Sequence, residues 1–192
     1  MKLLLAAFPP ELGDLLEHPP EGWVCACTDV GAIAAAVSTT RLLRELHPEQ
    51  VLFLGTCGTY DSAKVPVGAL VAVAEVVATS MDELACRSLR PKVERIRWTA
   101  DFLPPLPAKG VAVTPSITVS AEGAALLSTV APLEHLELSG VMEACREAVV
   151  SCGAALAVVN EVGPFAHEQW VANHAEGSAR LVGSLRASGM FD

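Results

Sequence analysis

Polar side chains stand immediately beyond apolar runs at several points of the chain: Glu11 after KLLLAAF, Thr56 and Tyr60 in VLFLGTCGTYD, Ser116 and Thr118 after GVAVT, Glu137 in LEHLE, and Asn160 after ALAVV. In an open α/β sheet, ligands gather beyond the carboxyl ends of the strands, where carboxylates, hydroxyls and an amide can compose a polar pocket for a small molecule. Taken singly, each also has a structural reading. Glu11 reads as an acid in the first turn of a helix, and Asn160 as a turn residue at a strand end.

The stretch from Val51 to Asp61 places Cys57 between Gly55 and Gly58, so the thiol could be a nucleophile, part of a phosphate cradle, or a small wall residue. The apolar run into Gly55 predicts a buried strand that ends there in a tight turn. No histidine lies near Cys57 in sequence to activate it, and Leu52, Phe53 and Leu54 bring no charge to clamp a phosphate. The segment therefore reads as a wall, with Cys57 as small packing.

The elements that must hold these groups alternate along the chain. KLLLAAF, GWVCACT, VLFLG, ALVAVAEVVA, GVAVTPSITV and ALAVVN read as strands, with helices over GAIAAAVSTTRLLRELH, SGVMEACREAVVSCG and HEQWVANHAEGSARLVGSLRAS. Strands that are apolar throughout predict a mostly parallel sheet covered by helices on both faces. Thr28 or Asp29 is the expected cap of the first long helix, and Ser120 of another. With 192 residues, 52% of them apolar and 18% charged, the chain has material for one large core, and a single domain over 1–192 is expected. Residues 81–109 read as a surface excursion whose arginines are solvated.

A formal charge of −9 repels a phosphate backbone, and no basic stripe with interleaved aromatics is present, so nucleic acid is excluded as a partner. MKLLLAAFPPE is too short for a signal core or a membrane span, and a cytoplasmic location without membrane contact is expected. The six cysteines contain no CxxC pair, and they read as small buried hydrophobes; no metal and no cofactor is expected.

The order MKLLLAAFPPELGDLL, TDVGAIAAAVSTTRLL, VLFLGTCGTYD with VPVGALVAVAEVV, LEHLELSGVMEAC and VVNEVGPFAHEQW resembles the nucleoside phosphorylase and nucleosidase superfamily nearly end to end. Within it the chain is most similar to futalosine hydrolase, through Asn160-Glu161-Val162-Gly163-Pro164 followed by Trp170, through Tyr60, and through TPSITVS at 114–120. Departures are Leu136 in place of methionine, Leu138 and Ser139 in place of small residues, and Ala69 in place of aspartate.

The resemblance implies a Rossmann-like α/β fold and a hydrolase that cleaves a purine nucleoside at its N-glycosidic bond, in an assembly of two or more copies. It implies that Glu137 accepts the ribose 2′ and 3′ hydroxyls, that Glu11 activates water near the anomeric carbon, and that Asn160 hydrogen-bonds N7 of a 6-oxopurine. Gly55, Thr56, Tyr60, Ser116, Thr118 and Leu136 are the further substrate contacts it implies. Phe8, Tyr60, Phe165 and Trp170 are candidates to stack on the base, although Trp170 reads better as packing; His135 and His167 are candidates to touch substrate, although they read better as exposed residues near loops. Two alternatives stay open: a phosphate-dependent phosphorylase, and a relative that binds nucleosides without turnover.

Overall fold

The computed structural model describes residues 1–92 and 95–192; residues 93 and 94 of the excursion lie outside the described residues. Strands β1 (Lys2–Ala6), β3 (Gln50–Thr59), β4 (Leu70–Ala78) and β8 (Ser151–Glu161) carry the centre, with β2 (Trp23–Cys27) at the edge beside β1. Strands β5 (Arg97–Thr99), β6 (Ala108–Val113) and β7 (Leu133–His135) complete an eight-stranded sheet. The helices are α1 (Pro9–Leu12), α2 (Ala32–Leu46), α3 (Met81–Leu84), α4 (Ala121–Leu127), α5 (Leu138–Ala148) and α6 (Ala166–Ala187).

Alternate side chains of the central strands point to opposite layers. Phe53, Leu156 and Val158 pack with Ala35 and Leu42 of α2 and Val141 of α5. Leu52, Leu54, Ala157 and Val159 pack with Leu181 and Leu185 of α6 and Leu12 of α1. Two covered faces explain why these strands are apolar throughout. Each fully buried leucine or phenylalanine contributes roughly 1.5–3 kcal/mol through burial.

The α/β architecture and the parallel pairing of β1, β2, β3 and β8 match the expected fold. Three pairings run antiparallel, β3 with β7, β4 with β5, and β4 with β8. Because β7 also pairs β6, and β6 pairs β4, the strands β3, β8, β4, β6 and β7 close a circuit of hydrogen bonds rather than leaving an open sheet.

Two local expectations are corrected. Gly55 does not end its strand, since β3 runs to Thr59 with only a register shift against β8 between Cys57 and Gly58. TPSITV is not strand either: β6 stops at Val113, and Thr114 folds over to donate its hydroxyl to the Ser116 carbonyl at 2.9 Å. Ser120 caps α4 as expected, accepting from Gly123 N–H. Neither Thr28 nor Asp29 caps α2, which begins instead at Gly31 with φ 93°, a conformation suited to glycine.

Candidate active site

The ends of β1, β3, β7 and β8 and the start of α6 surround a cavity of about 430 Å³. Glu11, Thr56, Leu136, Glu137 and Asn160 line it together, with Phe8, Glu134, His135, His167 and Trp170. These are residues far apart in sequence that the topology gathers at one rim.

Glu11 is 3% exposed, in the single turn of α1 just beyond β1. Its Oε1 accepts the Thr56 backbone N–H and the Thr56 hydroxyl, both at 2.8 Å, and its Oε2 accepts Ala7 N–H at 3.1 Å. Burial raises its pKa to about 7; the Thr56 hydroxyl opposes that rise, and the nearby Glu137 charge adds to it. A carboxylate so poised can take a proton from water near neutrality.

Glu137, 5% exposed, lies at the junction of β7 and α5. Its Oε1 accepts Gly31 N–H at 2.8 Å, so this carboxylate supplies the N-terminal cap that α2 lacks locally. No hydrogen bond from the described residues reaches its Oε2, which leaves that oxygen open to ligand donors. His135 Nδ1 lies 3.3 Å from Oε2, but it accepts the Glu137 and Leu138 backbone N–H groups at 3.1 and 3.3 Å. Its proton therefore sits on Nε2. Burial lowers the pKa of this imidazole, so the approach to Glu137 is a contact of a neutral ring and not an ion pair.

His135 is thus 4% exposed, contrary to its reading as a surface histidine. Gly55 explains how it fits: a Cβ there would stand 2.9 Å from Phe53 Cε1 and 3.2 Å from His135 Nε2. That glycine makes room for packing and does not line the cavity. Gly58 also makes room, under Asn160, whose Nδ2 would lie 2.8 Å from an added Cβ, but unlike Gly55 it does line the cavity. Asn160 is 7% exposed inside β8 and donates through Nδ2 to the Glu161 carbonyl at 3.0 Å.

Tyr60, Ser116 and Thr118 do not reach the cavity. Tyr60 donates its hydroxyl to Glu134 Oε2 at 2.9 Å, and Thr118 donates its N–H and hydroxyl to the same carboxylate at 3.0 and 2.6 Å. Both act on the site through Glu134, while Ser116 is exposed. Glu134 is the charged cavity residue that the sequence did not disclose. Trp170, expected as interior packing, faces the cavity and donates its indole N–H to Thr56 Oγ1 at 3.1 Å. Phe8 lies beside it at 5.6 Å between ring centroids, whereas Phe165 is 64% exposed outside the cavity.

Cys57 is 3% exposed, and burial pushes its thiol far above the ordinary range, which suits packing and not attack. Three carboxylates line the cavity, and no lysine or arginine among the described residues does. The arginines of the excursion are engaged with acids: Arg87 with Asp82 at 2.9 Å, Arg97 with Glu75 at 2.8 Å, Arg95 with Glu143 at 3.8 Å, and Arg90 with Glu83.

A closed mixed sheet between helices, with buried carboxylates at the strand ends, defines the class of fold. The chain belongs to the phosphorylase superfamily, whose family model matches residues 21–128. Glu11, Glu134, Glu137 and Asn160 lie outside that matched segment. No curated protein matches the chain in sequence.

Among solved structures, a futalosine hydrolase mutant of Helicobacter pylori superposes with TM-score 0.81 at 17% identity, over 97% of this chain and 98% of that one. The 5′-methylthioadenosine/S-adenosylhomocysteine nucleosidase of the same organism, with butyl-thio-DADMe-Immucillin-A, gives 0.81 at 15% identity over 97% of both chains. The corresponding nucleosidase of Neisseria meningitidis, in complex with methylthio-immucillin-A, gives 0.78 at 17% identity over 97% and 98%. The likeness is one of fold. No helix among the described residues is long and apolar enough to cross a membrane.

Proposed function

We propose that the chain is a purine nucleoside N-ribosyl hydrolase of the futalosine hydrolase type, releasing a 6-oxopurine base by attack of water on the ribose anomeric carbon. The observation that carries this reading is Glu11: a buried carboxylate with a pKa raised to about 7, sharing one cavity with Glu137 and Asn160. Glu11 takes the proton of the attacking water. Glu137 Oε2, free of protein donors, accepts the ribose hydroxyls. The amide of Asn160 hydrogen-bonds N7 as negative charge builds on the leaving base, and a 6-oxopurine spreads that charge onto its own oxygen.

The cavity's charge supports water over phosphate as the nucleophile. A dianion needs a cationic clamp beside the ribose, and the lining carboxylates would repel it, whereas they favour the positive charge that develops on the sugar.

Base release from inosine and from adenosine, with and without phosphate, tests the reading. Release is expected to be independent of phosphate and to favour inosine. Asn160→Asp is expected to raise adenosine cleavage relative to inosine cleavage, because a protonated carboxyl can supply N7 with a full proton. Strict phosphate dependence overturns hydrolysis, and an unchanged base preference in the variant overturns the role of Asn160.

A further inference from the structure

The indole of Trp170 does more than close one side of the cavity. It lies in the first turns of α6, and its ring is clamped by His174, stacked at 4.3 Å and 10°, and by Phe8 at 5.6 Å. His174 is itself held, with Nδ1 3.0 Å from the Trp170 carbonyl. An indole N–H can only donate, and it donates to Thr56 Oγ1 at 3.1 Å. The Thr56 hydroxyl, with that lone pair occupied, has one proton to give, and it gives it to Glu11 Oε1 at 2.8 Å. The three groups form a directed chain in which each bond polarises the next.

We propose that Trp170 is a positioning residue for Glu11: its N–H fixes the Thr56 hydroxyl in the orientation that spends its proton on the carboxylate, which keeps Glu11 ionised and aimed at the anomeric side of the cavity. The inference rests on the reading of Glu11 as the base that activates water. Without the indole N–H, the hydroxyl is free to turn its proton into the cavity, and Glu11 retains only the backbone donors Thr56 N–H and Ala7 N–H.

The other groups facing Glu11 do not supply this control. Glu137, from the β7–α5 junction, opposes its ionisation. Cys57 on β3 and Cys27 on β2 carry thiols raised by burial first and by the Glu11 charge second. Glu134, the neutral His135, and His167 of α6 line the same cavity without a hydrogen bond to Glu11.

The test is a direct titration of Glu11 by its side-chain carboxyl ¹³C resonance in the intact chain, assigned with Glu11→Gln, beside the pH profile of kcat/KM on inosine. Trp170→Phe keeps an aromatic ring and loses the N–H; its Glu11 midpoint is expected to rise by about half to one pH unit, with the acid limb of the profile moving equally. Thr56→Ser is expected to titrate like the wild type. Thr56→Val is expected to raise the midpoint, and adding Trp170→Phe to it is expected to raise it no further.

Benzothienylalanine at position 170, which keeps the indole shape and lacks the N–H, is expected to repeat the Trp170→Phe shift even where phenylalanine loosens the fold. An unchanged midpoint in both position-170 variants, with effects confined to KM or Tm, overturns the proposal, as do additive shifts in the double variant. Shifted titrations without any base release from nucleosides leave the coupling standing and overturn the hydrolase reading. Base release with unshifted titrations does the reverse.

Discussion

At the scale of single residues, the site is a division of labour among carboxylates that look alike in sequence. Tyr60 and Thr118 engage both oxygens of Glu134, and Thr56 and Ala7 engage both of Glu11 while leaving its Oε2 an acceptor site for water; of the three, only Glu137 keeps an oxygen that no donor among the described residues reaches. Glu137→Gln is therefore expected to lower kcat/KM by on the order of 10² or more, about 3 kcal/mol, because an amide turns one acceptor into a donor facing ribose hydroxyls. The amide oxygen can still accept from Gly31, so the melting temperature is expected to stay near that of the wild type. Wild-type kinetics in the variant would remove Glu137 from the site. Glu11 and Asn160 were legible as polar groups just beyond apolar runs, and Glu137 through the resemblance of LEHLELSGVMEAC to the superfamily. Glu134 was not, and the burial of His135 was not, since two polar residues inside LEHLE carry no local sign of which way they face.

At the scale of elements, the long helices were legible and their fastenings were not. The cap of α4 is local and could be read from Ser120; the cap of α2 comes from Glu137, 106 positions away, and no window of sequence contains both partners. Glycines misled for a related reason. Gly55 and Gly58 looked like turn punctuation, yet they are strand residues cleared for His135 and Asn160. Gly140 shows the same use between helices, since a Cβ there would meet the Ala32 carbonyl oxygen at 2.0 Å, where α5 crosses α2. Gly140→Ala is expected to destabilise the protein by about 1–3 kcal/mol, and to weaken nucleoside binding by displacing the Glu137–Gly31 contact. Gly183→Ala on α6, with nothing within 4 Å of the added carbon, is the matched control and is expected to be neutral or stabilising. Urea denaturation of both variants decides it: equal midpoints would mean that the helix crossing yields freely.

At the scale of the whole molecule, the alternation of strands and helices revealed the α/β architecture, while the closing of the sheet through β7 and the antiparallel pairing of β4 with β8 depend on long-range partners that apolar runs do not encode. Stability should carry the imprint of the site. The folded state holds the Glu11 proton more tightly than the unfolded chain, with a pKa of about 7 against 4.5, so its stabilising contribution is complete below about pH 4.5 and is lost as pH rises through about 7. That loss amounts to about 3 kcal/mol. Burial of neutral His135 works in the opposite sense, gaining stability as pH rises, and it is common to the wild type and Glu11→Gln. The difference between these two proteins in urea at about pH 5 and about pH 8 isolates Glu11, and parallel behaviour would show that its burial costs nothing. The bond from Gly31 to Glu137 also bears on descent. Losing that carboxylate orphans a helix-start N–H at a cost of about 1 kcal/mol, so on the proposed hydrolase reading selection for a sound α2 and selection for a sugar acceptor act on the same side chain. Glutamine satisfies the first demand and not the second, and it marks the step by which a lineage could shed turnover while keeping the fold.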